Sequence, residues 1–105
     1  MYRLEILPLA KKDMDDIIFY VSHNLKNNTA SKKLLKNFIN GTKNILLFPY
    51  GSPEYIPNKK YKLEKNYRCI KIQNFLMLYT IEEQDKLITI TRVVHNKINI
   101  ERIIV

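Results

Sequence analysis

The stretch YRCIKIQNFLMLYTIEEQDKLITITRVVH, residues 67–95, decides the fold. Within it, residues 67–72, 75–81 and 87–95 are runs of β-branched, aliphatic and aromatic side chains, the chemistry that fits a pleated, half-buried surface. Polar residues separate the runs: Gln73 and Asn74 between the first two, residues 82–86 between the last two. A two-residue gap between strands predicts a tight hairpin and the longer gap a looser one, so the stretch reads as an antiparallel meander.

Outward from the meander, residues 2–7 alternate, with Leu4 and Ile6 on one side and Arg3 and Glu5 on the other, which predicts a strand that Pro8 closes. Beyond Pro8, Met14, Ile17, Ile18, Val21 and Leu25 recur at helical spacing, and Asp13, Asp15 and Asp16 lie near the positive end of the helix dipole. This predicts an amphipathic helix over about residues 9–25. Asn27, Asn28 and Thr29 supply a break and an N-cap, and Ala30, Leu34, Leu35, Phe38, Ile39, Ile45 and Leu46 carry a second apolar stripe. That helix ends near Phe48, because Pro49, Gly51 and Pro53 cannot continue the hydrogen-bond ladder. Two helices joined so closely lie antiparallel and share an apolar surface that neither buries alone. The meander covers it. The predicted class is α+β: two packed helices on a mainly antiparallel four-stranded sheet, in a single domain spanning residues 1–105. A basic loop over residues 51–66 carries Tyr55 and Tyr61 between Pro53 and Pro57 and the following strand, and INIERIIV is expected either to form a short tail segment or to stay mobile until a partner docks.

Bulk properties narrow the function. A chain of 105 residues is too short for two independent cores. Cys69 is the single cysteine, which excludes an internal disulfide and a multi-thiolate metal site. No long apolar run follows a charged leader, so a soluble cytoplasmic protein is expected. The 18 basic against 10 acidic residues give a formal charge of +8, which points to a polyanionic partner or simply to a lysine-rich, well-solvated surface. The distribution favours the first: Lys59, Lys60, Lys62, Lys65, Arg68 and Lys71 face a single Glu64.

Several site types are excluded by motif. With only Gly41 and Gly51 there is no phosphate-binding glycine loop, His23 and His95 have no zinc spacing, and no GxSxG turn exists. Neither a metal nor a cofactor is implied. What remains is Arg68 at the start of the meander and Arg92 with His95 at its end. Each arginine can be structural, laying its stem on the sheet and pairing its head with Glu64, Glu82 or Glu101. Together, guanidinium forks matched to phosphate oxygens and an imidazole that moves protons near neutrality form a kit for RNA cleavage through the 2′-hydroxyl. Parity opposes that kit. In a regular strand Arg92 and His95 fall on opposite faces, and they meet only if the strand ends or bulges near Val94.

YRLEILPLAKKDMDDIIFYV, KNILLFPYG, YRCIKIQNFLMLYTIEE and ITITRVVHNKINIERII, in that order, resemble the bacterial RelE/ParE toxins over almost the whole chain. The matching features are an acidic residue at Asp15 or Asp16, the helix end at residues 47–51, the Tyr67-Arg68 pair and the run from Arg92 to His95. The resemblance implies a β-α-α-β-β-β fold like that of microbial ribonucleases and a toxin neutralised by a cognate antitoxin. In the RelE branch it implies ribosome-dependent mRNA cleavage. Arg68 and Arg92 would then hold phosphate, His95 would give or take a proton, and Lys59, Lys60, Lys62 and Lys65 would seat RNA. The ParE branch, which inhibits DNA gyrase and cuts no RNA, carries a similar Arg-Val-x-His ending. A noncatalytic domain that binds nucleic acid or antitoxin is the third possibility. Glu54 and Glu64 are general-base candidates by residue type alone.

Overall fold

The protein is described here from a computed structural model covering residues 1–55, 65–98 and 100. Strand β1 (Arg3–Ile6) leads into helix α1 (Pro8–Phe19), which widens into a π-helical segment, Tyr20–Asn24. Helix α2 (Asn28–Leu47) follows, and β2 (Arg68–Ile72), β3 (Phe75–Glu82) and β4 (Leu87–His95) complete the domain. Local chemistry sets the boundaries. Pro8 occupies the first turn of α1, where a missing N–H costs nothing. The Asn27 side chain accepts the Ala30 N–H at 3.0 Å and caps α2. Lys26, at φ 49°, provides the left-handed residue that turns the chain between the helices.

The sheet order is β1-β4-β3-β2, with β1 parallel to β4 and the other pairs antiparallel. The expected architecture of two helices on a mainly antiparallel four-stranded sheet is present. The first strand is shorter than the sequence pattern suggests, and Ile6, at the end of this edge strand, is 39% exposed although it pairs with buried Ile90 and lines a cleft with Met14, Leu35 and Phe38 of the helices.

One face of the sheet packs on the helices. Leu34, Phe38 and Ile45 of α2 and Ala10 of α1 meet Ile72, Met77, Tyr79, Ile88, Ile90 and Val93 in one buried cluster. Full burial of such side chains contributes roughly 1.5–3 kcal/mol each, which is the main term holding the helices to the sheet. Gly41 lets α2 approach closely, since a Cβ there would meet Ile72 Cδ1 at 2.5 Å. On the opposite face Leu78, Val94 and Ile100 form a smaller cluster with Tyr55, Cys69 and Leu76.

A bulge divides β4. Tyr79 pairs with Ile90 but Leu78 pairs with Arg92, so Thr91 is the extra residue, and its hydroxyl donates to the Leu78 carbonyl at 3.2 Å. After this shift Val93 and His95 share the helix-facing side with Ile88 and Ile90, whereas Arg92 and Val94 belong to the other face.

Candidate functional site

The three residues singled out from the sequence occupy three different environments. The bulge precedes Arg92 and regular alternation resumes from there to the strand end, so Arg92 and His95 remain on opposite faces. Arg68 and His95 share the helix-facing side but lie at opposite ends of β3. Arg68 pairs with Tyr79 and His95 with Phe75, four residues apart, about 13 Å at strand rise.

Arg92 is engaged by α1. Its Nε donates to Asp13 Oδ2 at 2.7 Å and its Nη2 to Asp13 Oδ1 at 3.0 Å, a bidentate pair with side chains 24% and 14% exposed. Asp13 Oδ2 also accepts the Val93 N–H at 3.0 Å, satisfying an edge position of β4 that β1 is too short to reach. The Asp13 contact raises the already high pKa of Arg92. Among the three N-terminal aspartates, Asp13 therefore has the tertiary role, while Asp15 and Asp16 form exposed i,i+4 pairs with Lys11 and Lys12. A sequence signal for this existed. Lys11 and Lys12 stand four residues before Asp15 and Asp16, whereas Asp13 has Leu9 and Ile17 at those positions and follows buried Ala10 by three.

His95 sits edge-on to Phe75, with ring centroids 5.6 Å apart, and its Nδ1 accepts the Lys97 N–H at 3.2 Å, which leaves the proton on Nε2. The ring borders a mostly apolar cavity of about 520 Å³ between the π-helical segment, the start of α2 and the β2–β3 turn, with Asp16, Tyr20 and Asn74 also on its wall.

Arg68 is the half-buried arginine whose binding edge stays open. Its Nη1 donates to the Ser52 carbonyl at 2.6 Å, and its guanidinium lies over the Tyr50 ring, 4.9 Å from the centroid. Nε and Nη2 have no hydrogen-bond partner among the described residues. The loop after α2 is pinned beneath it. The Tyr79 hydroxyl donates to the Pro49 carbonyl at 2.8 Å, and an isolated antiparallel backbone bridge between Glu54 and Arg68 includes the Tyr55 N–H donating to the Tyr67 carbonyl at 2.7 Å.

A polar cluster that the sequence does not announce adjoins Arg68. Glu83, in the β3–β4 turn, accepts hydrogen bonds from Tyr2 at 2.6 Å, Tyr50 at 2.7 Å and Lys86. Those donors, Lys86 foremost, pull the Glu83 carboxyl down to about 2, and the Glu83 contact pushes the Tyr50 phenol up to about 12. Phe48 and Tyr50 beside it are 69% and 53% exposed, aromatic surface next to the Arg68 guanidinium. Lys65 approaches Glu82 at 3.8 Å in an exposed ion pair. Lys59, Lys60 and Lys62 lie outside the described residues, as does Glu64. Cys69 packs on the second face, and burial pushes its thiol up to about 11. Among the described residues no group of His, Cys, Asp and Glu could hold a metal ion, and no helix is long and apolar enough to cross a membrane.

Comparison with known proteins follows the same lines. The fold resembles a toxin-antitoxin structure titled the chromosomal ParDE system from P. aeruginosa, with a TM-score of 0.68 at 15% identity over 90% of this chain and 96% of that one. It also resembles the archaeal RelE-RelB complex from Pyrococcus horikoshii OT3, with a TM-score of 0.63 at 12% identity over 93% and 98% of the two chains. The intact E. coli RelBE toxin-antitoxin complex gives 0.50 at 15% identity over 90% and 96%. Comparison with curated protein sequences gave no match. Identities this low establish the fold alone, but the family model for the ParE toxin of the type II toxin-antitoxin system parDE matches residues 4–100, nearly the whole chain. The chain belongs to that toxin family.

Proposed function

We propose that this toxin acts by binding a protein target, as a ParE-like inhibitor of DNA gyrase, with Arg68 at the contact surface and no RNA bond broken. The observation that carries this reading is the separation of the three candidate residues. Cleavage through a 2′-hydroxyl needs a base, an acid and a cation on one phosphate. Here the Nε/Nη2 edge of Arg92 is spent on Asp13, and His95 lies on the other face, about 13 Å along the sheet from Arg68. Binding requires no such convergence, and the open fork of Arg68 beside exposed Phe48 and Tyr50 has the composition of an interface hot spot. The match to the ParE family model supports the same choice. The partner that neutralises the toxin is a cognate antitoxin, as in the titles of the related complexes, and the site of action is the cytoplasm.

The RelE-like reading, a ribosome-dependent mRNA endonuclease using Arg68, Arg92 and His95 with Lys59, Lys60, Lys62 and Lys65 on RNA, is favoured by the +8 charge and the basic stretch preceding Arg68. One experiment separates the two. Toxin released from its antitoxin is incubated with gyrase and supercoiled plasmid, and in parallel with mRNA on programmed ribosomes. Linear DNA with intact mRNA is the expected outcome. Discrete cuts in ribosome-bound mRNA that His95→Gln abolishes would overturn the proposal in favour of the nuclease.

A further inference from the structure

We propose that Glu83, acting through Tyr50, is the positioning residue that holds Arg68 in the orientation presented to the target. The inference rests on the reading of Arg68 as a contact residue and adds the device that sets its geometry. Three elements distant in sequence converge on the Glu83 carboxylate: Tyr2 from the N-terminus, Tyr50 from the loop after α2, and Lys86 from its own turn. The Tyr50 ring, tethered to Glu83 by its hydroxyl, forms the floor under the Arg68 guanidinium. Pro49 and Ser52 flank that ring. The Pro49 carbonyl is fixed by the buried Tyr79, and the Ser52 carbonyl holds Arg68 Nη1, so the guanidinium is restrained through one edge and one face. Its Nε and Nη2 meet no hydrogen-bond partner among the described residues.

A long arginine side chain loses rotamer freedom when it engages a partner, and holding it beforehand removes much of that loss at the moment of binding. The turn between β3 and β4 thereby governs a residue on β2. Asp85 in the same turn makes no side-chain hydrogen bond or ion pair among the described residues, so the effect belongs to Glu83 rather than to turn charge in general. The ionised state that accepts three hydrogen bonds persists across the physiological range, because its donors hold the carboxyl far below neutrality.

The test uses growth arrest on induction of the full chain, with toxin levels measured, for Arg68→Ala, Tyr50→Phe, Tyr50→Leu, Glu83→Ala, Asp85→Ala and the Arg68→Ala/Glu83→Ala pair. Thermal unfolding confirms that each is folded. Arg68→Ala is expected to lower potency roughly tenfold or more, and Glu83→Ala and Tyr50→Leu about three- to tenfold. Tyr50→Phe, which keeps the ring but loses the tether, falls between Tyr50→Leu and wild type, and Asp85→Ala matches wild type. Adding Glu83→Ala to Arg68→Ala costs nothing more, because the glutamate acts only through the arginine. The Arg68 Nε–H resonance should broaden and exchange faster in Glu83→Ala and Tyr50→Leu.

Full potency in Glu83→Ala and Tyr50→Leu alongside a weak Arg68→Ala overturns the relay and leaves the contact role standing. Multiplying losses in the double variant do the same. A fully potent Arg68→Ala overturns both the relay and the contact surface on which it rests, as does a wild-type chain that leaves growth unaffected.

Discussion

Replacing Asp13 with alanine should be among the most damaging single changes outside the apolar core, although the residue sits in a run of charges near the start of a surface helix. The carboxylate accepts two hydrogen bonds from Arg92 and one from the Val93 N–H, and Val93 is only 2% exposed. Bonds to charged groups contribute about 1.5–3 kcal/mol each when buried, and an orphaned buried N–H costs about 1–3 kcal/mol. Some 14–24% of the two side chains remains exposed, so water partly compensates the loss. The net cost of Asp13→Ala is about 3 kcal/mol, against a total stability of roughly 5–15 kcal/mol for a domain of this size. That corresponds to a fall of roughly 12–24 °C in Tm. Asp13→Asn keeps one acceptor and the side-chain shape, and should lose about half as much. Urea unfolding followed by circular dichroism measures these differences directly, and an Asp13/Arg92 double-mutant cycle should give a coupling of about 1–2 kcal/mol. An Asp13→Ala loss below about 0.5 kcal/mol, the scale of an ordinary surface change, would refute the structural assignment of the Asp13–Arg92 pair and reopen Arg92 as a residue available to ligands.

Other consequences are equally open to measurement. Asp15→Ala and Asp16→Ala break only exposed i,i+4 pairs and should each change stability by less than about 0.5 kcal/mol in the same urea assay. His95→Gln should leave gyrase poisoning at the wild-type level, because His95 lies far from Arg68; a large loss in the plasmid assay would place it at the interface. Glu83 has its carboxyl lowered from 4.5 to about 2 by Lys86, Tyr2 and Tyr50, so its stabilising contribution is complete above about 4.5 and disappears as pH falls toward about 2. The Tm difference between wild type and Glu83→Gln should shrink over that window, and a difference constant with pH would sink the assignment. With its thiol held up to about 11 by burial, Cys69 should react with an aromatic disulfide far more slowly in the folded chain at about pH 8 than after unfolding. Equal rates would show that the second face of the sheet is open.

The periodicities in the sequence determined the secondary structure closely. The three β-rich runs became β2, β3 and β4 with ends displaced by at most one residue, and Asn27 and the Pro49–Gly51–Pro53 cluster bound α2 as their backbone chemistry requires. These features are local, and local sterics and hydrogen bonding decide them. The fold class followed, because two apolar helix stripes and a meander have few ways to bury each other, whereas the family followed from resemblance along the chain, which the family model matches over residues 4–100.

The site was less legible, for a physical reason. Where Arg92 points depends on the single extra residue at Thr91, and pleat parity counted along a strand carries no trace of a register shift against its neighbour. Which of three adjacent aspartates meets it depends on how α1 lies across the β4 edge beyond the end of β1. The convergence of Tyr2, Tyr50 and Glu83 joins residues up to 81 positions apart and has no sequence period at all. Charge, strands, helices and family were properties of the chain alone, whereas the division of its arginines into Arg92, clamped by Asp13, and Arg68, open above Tyr50, was made only when the sheet and helices came together.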